Sequence, residues 1–405
     1  MLFRKLKTGL AAAVLAGLCA LAQANTTAHA YSGPLLLAQN DISLMPGGPA
    51  ETESVPAPEI ATQPQQMGPG AEGAVRIALL LPLRSENLRN AAAMVRDGFV
   101  AAFEKSRDPR MSLTVVETGD AAQDVLDAYT GTLPDFDIMV GPLSRSGAAV
   151  IASRGVVAKP TIALTPADAV ADGGGGSPQL LLMGLSLEED ARQAAELAAA
   201  DLPGERALVV STATAWQRRA ARAFQLAWQS RGLSAEVLEL SASGGNLSAT
   251  ALGQLQERLR AGRPGLVFAA LDAGQARQLR ESIGSDLPMY GTSQLNPYTQ
   301  QGWTGAERRT DMDGVRFIDL PWLLRPEDGG YARPAVGADM ERLYALGIDA
   351  YQVAREVAAG RGLFDVDGTT GRLKVSMGAG PARFERVASP AVYQDGMAAP
   401  LPGSQ

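Results

Sequence analysis

Cysteine and histidine are almost missing: Cys19 and His29 are the sole examples in 405 residues. Past residue 29 the chain therefore has no disulfide, no Cys nucleophile, no Ser-His-Asp triad and few ways to hold a metal. Aromatics are sparse at 5%, so Ala, Leu and Val must fill the core. Positive charge is in deficit, with 36 Lys and Arg against 43 Asp and Glu, a net charge of −7. That balance argues against general nucleic-acid binding. What is present is ordinary globular composition, 46% hydrophobic and 20% charged, long enough for about two or three domains.

The N-terminus reads as a secretory signal over residues 1–24. Arg4, Lys5 and Lys7 precede an apolar run from Gly9 to Leu21, too short for a stable membrane anchor. Small-residue sites follow at Ala22-Gln23-Ala24 and Ala28-His29-Ala30. Cys19 follows an apolar run, as in a lipoprotein signal. However, Leu18 stands where a small residue is wanted, and Ala16 where Leu is wanted. The sequence thus favours simple export to the periplasm over outer-membrane lipidation at Cys19.

Residues 25–73 read as a disordered Pro-rich linker. From Ser32 to Gly73 there is no Lys, Arg, Phe or Trp, and prolines recur from Pro34 to Pro69. Such a stretch cannot bury enough apolar surface to offset its ordering entropy. A tether or a passive spacer both fit.

From Val75 short apolar runs alternate with amphipathic stretches. Strands are expected at 75–81, 113–117, 138–140, 161–164 and 180–183, with helices at 87–105, 121–129 and 144–154 between them. The rhythm restarts with helices at 187–201, 214–231, 247–261 and 273–283 around strands at 207–211, 235–240, 266–271 and 288–291. Near-continuous apolar strands between helices imply parallel sheets covered on both faces. The expected fold is α/β, with two doubly wound parallel-sheet lobes.

Ligands of such sheets sit beyond the carboxyl ends of the strands. The strand-to-helix turns there carry hydroxyls, amides and charges. Candidate cleft residues are Arg84, Ser85, Ser144, Thr165, Thr212, Trp216, Asp272, Thr292 and Ser293. Ser, Thr and Asp are also the usual helix caps, which is the plainer role for any one of them.

Other constellations carry less. Asp172 to Ser177 is Gly-rich but lacks the Lys-Ser/Thr of a phosphate loop, and reads as a surface loop. Arg218, Arg219, Arg222 and Arg231 make one helix basic, while Trp216, Phe224 and Trp228 line a stripe facing the core. Glu188-Glu189-Asp190 opens a helix, where negative charge suits the dipole. No group forms a catalytic constellation or calls for a cofactor or metal, so the chain does not read as an enzyme.

Three later stretches add a resemblance. They are Gly314 to Leu324 (GVRFIDLPWLL), Arg342 to Tyr351 (RLYALGIDAY) and Gly368 to Val375 (GTTGRLKV). Arg383 and Gln394-Asp395-Gly396 follow them. With Ile77 to Leu83 and Gly141-Pro142-Leu143, these resemble the C-terminal module of the LppC-type penicillin-binding-protein activators. That module is similar to type I periplasmic solute-binding proteins. The resemblance covers roughly residues 74–400. By themselves the stretches read as strand 315–320, helix 340–358 and short strands 373–375 and 384–387.

The resemblance implies three crossings between the lobes, near Leu185, Trp322 and Leu363. Lobe 1 is then 74–185 plus 322–362, and lobe 2 is 186–321 plus 363–405. It implies a periplasmic regulator that binds a peptidoglycan synthase, a penicillin-binding protein. The alternative is a solute receptor that takes an amino-acid-like ligand to an ABC transporter permease.

Overall fold

The computed structural model describes residues 65–67, 73–153, 157–166, 176–299, 310–325 and 329–402. The signal region, Cys19, His29 and most of the Gly-rich stretch 172–177 lie outside the described residues.

The first sheet is built from β1 (Gln65–Met67), β2 (Val75–Leu81), β3 (Met111–Glu117), β4 (Ile138–Val140), β5 (Thr161–Ala163) and β6 (Leu180–Leu182). Its order is β1-β3-β2-β4-β5-β6, and every pairing except β1 with β3 is parallel. Helices α1 (Arg89–Ser106), α2 (Ala122–Thr132) and α3 (Arg145–Ser153) connect the strands. Strand β2 shows why the sequence is apolar throughout. Ile77, Leu79 and Leu81 enter one core, and Ala78 and Leu80 enter another on the opposite face. Side chains alternate across a strand, so covering both faces removes the polar half of the pattern.

Strand β1 corrects the linker boundary. Gln65–Met67 lies within the segment read as disordered, yet it pairs antiparallel with Leu113–Val115 at the sheet edge. A three-residue strand has no period to detect. Its order comes from the unpaired edge of β3, which offers backbone hydrogen bonds to any strand nearby.

Beyond β6 the chain enters α4 (Leu187–Asp201), β7 (Ala207–Ser211), α5 (Ala215–Gln229) and β8 (Ala235–Glu239). A small hairpin follows, β9 (Ala242–Ser243) with β10 (Asn246–Leu247). Next come α6 (Ala249–Ala261), β11 (Leu266–Ala269), α7 (Ala273–Ile283), β12 (Met289–Gly291) and β13 (Arg316–Asp319). The crossover helix α8 (Pro321–Leu324) leads to α9 (Ala338–Ala358), which returns to the first lobe and packs along α1. Three antiparallel strands follow: β14 (Leu363–Asp367), β15 (Arg372–Ser376) and β16 (Arg383–Val387). A closing hairpin, β17 (Ser389–Gln394) and β18 (Met397–Pro400), completes the second sheet in the order β18-β17-β13-β12-β11-β7-β8.

The β14–β16 sheet departs from the expected division. Phe364, Leu373, Val375 and Met377 join the first lobe's core, beside α1 and α9. The chain therefore re-enters the second sheet only at Ser389, not at Leu363. Alternation in Phe364-x-Val366 and Leu373-x-Val375 marks a half-buried sheet but cannot say which core receives it.

Candidate functional site

Residues that follow the carboxyl ends of strands in both sheets line one cleft, together with residues of the crossovers. The cavity remaining there is about 70 Å³. That is room for ordered water, far below the roughly 300–1,000 Å³ of ligand pockets. Leu143, Leu164, Leu185, Leu187, Leu320, Leu343 and Leu346 supply its apolar wall. Its charged groups are Asp190, Asp339, Arg342 and Arg386.

Those charges are already matched to one another. Arg342, on α9 of the first lobe, donates from Nε and Nη2 to Asp319 at 3.1 and 3.0 Å. Asp319 closes β13 in the second sheet. The same Nη2 reaches the carbonyls of Ser293 and Asn296 at 2.9 and 2.8 Å, and Nη1 donates to Asp339 at 2.9 Å. Asn296 Nδ2 and the Leu320 N–H, both at 2.8 Å, fix Asp319 in turn. On the same cavity, Arg386 of β16 donates to Asp190 of α4 at 2.7 Å. Ser293 Oγ donates to the other oxygen of Asp190 at 2.7 Å. Fork-to-carboxylate pairs of this kind are the strong, geometrically demanding ones.

A further buried carboxylate holds the turn before β15. Asp349 of α9 accepts from the backbone N–H and the hydroxyl of both Thr369 and Thr370, at 2.6–2.8 Å. Another sits at the crossover. Glu341 accepts from Trp322 Nε1 at 2.9 Å and from Arg333 at 3.0 Å. The Arg333 guanidinium also lies 4.3 Å above the Trp322 ring.

Glu341 Oε1 has no hydrogen-bond partner among the described residues. Burial pushes this carboxyl above the usual glutamate range, against the opposing pull of Arg333 and Trp322. The native state thus holds the proton more tightly than the unfolded chain does. Its stabilising share is greatest below the ordinary glutamate pKa and shrinks as pH rises through the native value. Glu341→Gln is expected to flatten that part of the stability profile. Urea unfolding of both proteins from mildly acidic to neutral pH checks this, and parallel profiles would refute it.

The nine sequence candidates are distributed unevenly. Thr165 and Ser293 line the cavity. The others lie elsewhere in the lobes, several of them as caps. Asp272 accepts from the Gln275 N–H at the start of α7, Ser144 from Gly147, and Thr292 from Gln294. Thr212 donates to Gln217 at 2.6 Å, and Ser85 to Asp120 at 2.7 Å. Arg84 is exposed and pairs with Asp124. Trp216 is buried against Leu187.

Sequence reasoning missed Asp190, Asp319, Arg342, Asp349 and Arg386. The acidic start of α4 reads as a dipole match, and Ser186 does cap it. Yet Glu188 and Asp190 turn inward, Glu188 to Arg219 at 2.6 Å. Arginines of the expected basic stripe pair within the chain: on α5, Arg218 with Glu239 at the surface and Arg219 with Glu188, and just beyond it Arg231 with Glu196.

Two α/β lobes linked by three crossovers around a cleft define a type I periplasmic-binding-protein-like fold. Within that class, the LppC putative lipoprotein family matches residues 71–396, and the chain belongs to it. Penicillin-binding protein activator LpoA of Vibrio cholerae is 26% identical over 346 residues, covering 74% of this chain and 54% of that protein. The chain thus spans about half the length of the curated relatives it matches. A solved structure from Chromobacterium violaceum, described as a putative branched-chain amino acid ABC transporter, is 33% identical. It covers 78% of this chain and 99% of that one, with a TM-score of 0.62. The C-domain of Haemophilus influenzae LpoA, described as a regulator of PBP1A, is 22% identical with a TM-score of 0.63. It covers 80% of this chain and 99% of its own, and speaks to the fold alone.

Proposed function

We propose that this chain is a non-enzymatic periplasmic module that binds a penicillin-binding peptidoglycan synthase and raises its activity. Membership of the LppC family and the LpoA relatives support this reading. The observation that carries it is the cleft. Among the described residues its charged side chains already pair with each other, so an amino-acid ligand finds neither a free carboxylate nor a free guanidinium among them. What the module offers a partner is then its outer surface. No helix among the described residues is long and apolar enough to cross a membrane.

The Chromobacterium violaceum relative keeps a second reading open, an amino-acid receptor. The two readings part in one pair of assays. The regulator is expected to be retained on an immobilised synthase from the same cell and to speed its glycan polymerisation. The receptor is expected to gain stability from an amino acid. At a hundred times Kd the gain is about 2.7 kcal/mol, or roughly 2–4 °C in Tm for each kcal/mol. A selective thermal shift with no synthase binding would replace the first reading by the second.

A further inference from the structure

We infer that Arg342 is a tethered ligand: the first lobe inserts its own guanidinium into a preformed guanidinium site of the second lobe, and this holds the cleft shut. The inference concerns lobe closure and stands whether or not the partner is a synthase.

The second lobe presents what a receptor for a planar cation needs. One carboxylate, Asp319, faces two backbone carbonyls, those of Ser293 and Asn296. The acceptors are held by contacts within the second lobe. Asn296 Nδ2 and the Leu320 N–H anchor Asp319, and Ser293 is tied to Asp190 through its hydroxyl. Arg342 fills this site bidentately and is only 5% exposed. It comes from α9, which packs chiefly along α1 and in the first core, with further contacts to α8 and β14. Separating the lobes would strand a carboxylate and a guanidinium that now satisfy each other. Arginine suits this role better than lysine, because its rigid fork matches carboxylate geometry. An inserted side chain also explains why the remaining cavity is small, at about 70 Å³.

The test places spin labels on the two cleft rims, by Glu86→Cys and Ala213→Cys in a Cys19→Ser background of the full chain. Both positions are exposed. Pulsed electron resonance then reads the inter-lobe distance. Arg342→Ala is expected to lengthen and broaden that distance relative to the parent. Millimolar methylguanidine, which can refill the vacated site, is expected to restore the short distance and to raise Tm by about 2–4 °C. Methylammonium, lacking the fork, is expected to do neither. Circular dichroism checks that the variant is folded. Should Arg342→Ala fail to fold, Asp319→Asn keeps the side-chain volume, removes the charge, and is read by the inter-lobe distance alone, with no rescue by methylguanidine expected. A folded variant with the parental distance, or a folded Arg342→Ala protein indifferent to methylguanidine, overturns the inference.

Discussion

Gly347→Val is expected to destabilise the protein by about 3 kcal/mol or more, because it wedges two helices apart. Helices α1 and α9 touch backbone to backbone through a reciprocal pair of glycines. A Cβ on Gly347 would lie 2.1 Å from the Val95 carbonyl oxygen, and one on Gly98 only 1.9 Å from that of Tyr344. The obstructing atoms are main chain, so no side-chain rotation relieves the overlap. Separation would also loosen Phe99 and Phe103, which meet Tyr351 edge-on at 5.5 and 5.9 Å. Propensity alone predicts the reverse for alanine, since Gly→Ala in a helix interior ordinarily gains about 0.5–1 kcal/mol. Gly253 in α6 provides the control, because nothing lies within 4 Å of its added Cβ. Urea unfolding should therefore show Gly253→Ala slightly stabilised and Gly347→Ala clearly destabilised. Equal effects at both sites would refute the close-packing account.

The layered architecture was legible because its cause is local. A strand buried on both faces must be apolar throughout, and a helix lying on it must carry a stripe, so β2 with α1 and β7 with α5 stand out. Interlobe chemistry was not legible in that way. Asp319, Arg342 and Asp349 read as polar interruptions of apolar stretches: Asp319 between Ile318 and Leu320, Asp349 between Ile348 and Ala350. That interruption is itself the usable signal, since a charge amid buried neighbours requires a partner. Its partner, however, lies 23 positions away for Asp319 with Arg342 and 196 for Asp190 with Arg386, and no periodicity connects residues across such gaps. The resemblance-bearing stretches of the second half thus build the contacts around the crossovers. Asp319 and Trp322, Arg342 and Asp349, and Thr369 and Thr370 come from the three of them in turn. Their common product is a set of fixed contacts at the crossovers. The hydroxyl-bearing turns show the opposite bias. Their chemistry is visible, but Asp272, Ser144 and Thr292 direct it to the start of their own helices.

Arg386→Ala is expected to cost about 3–5 kcal/mol, since it leaves the Asp190 carboxylate buried without its cation. Both side chains are 3% exposed, so water cannot take over the vacated position without rearrangement. Arg386 also donates to the Thr370 carbonyl at 3.3 Å within the β14–β16 sheet, and its own carbonyl accepts from Gln193 of α4 at 2.7 Å, which ties that sheet to the second lobe. Removing both charges should behave differently. Desolvating two ions offsets much of their attraction, and well-packed apolar replacements of buried pairs are often neutral. Asp190→Leu with Arg386→Met is therefore expected to recover most of the loss, provided Ser293→Ala removes the hydroxyl left without its acceptor. A double-mutant cycle on Asp190 and Arg386 measures the coupling directly. Strong coupling together with a stable apolar triple variant would mean that the pair fixes how the lobes meet and adds little to net stability. A triple variant as unstable as Arg386→Ala would mean that the ion pair itself carries the stability of this junction.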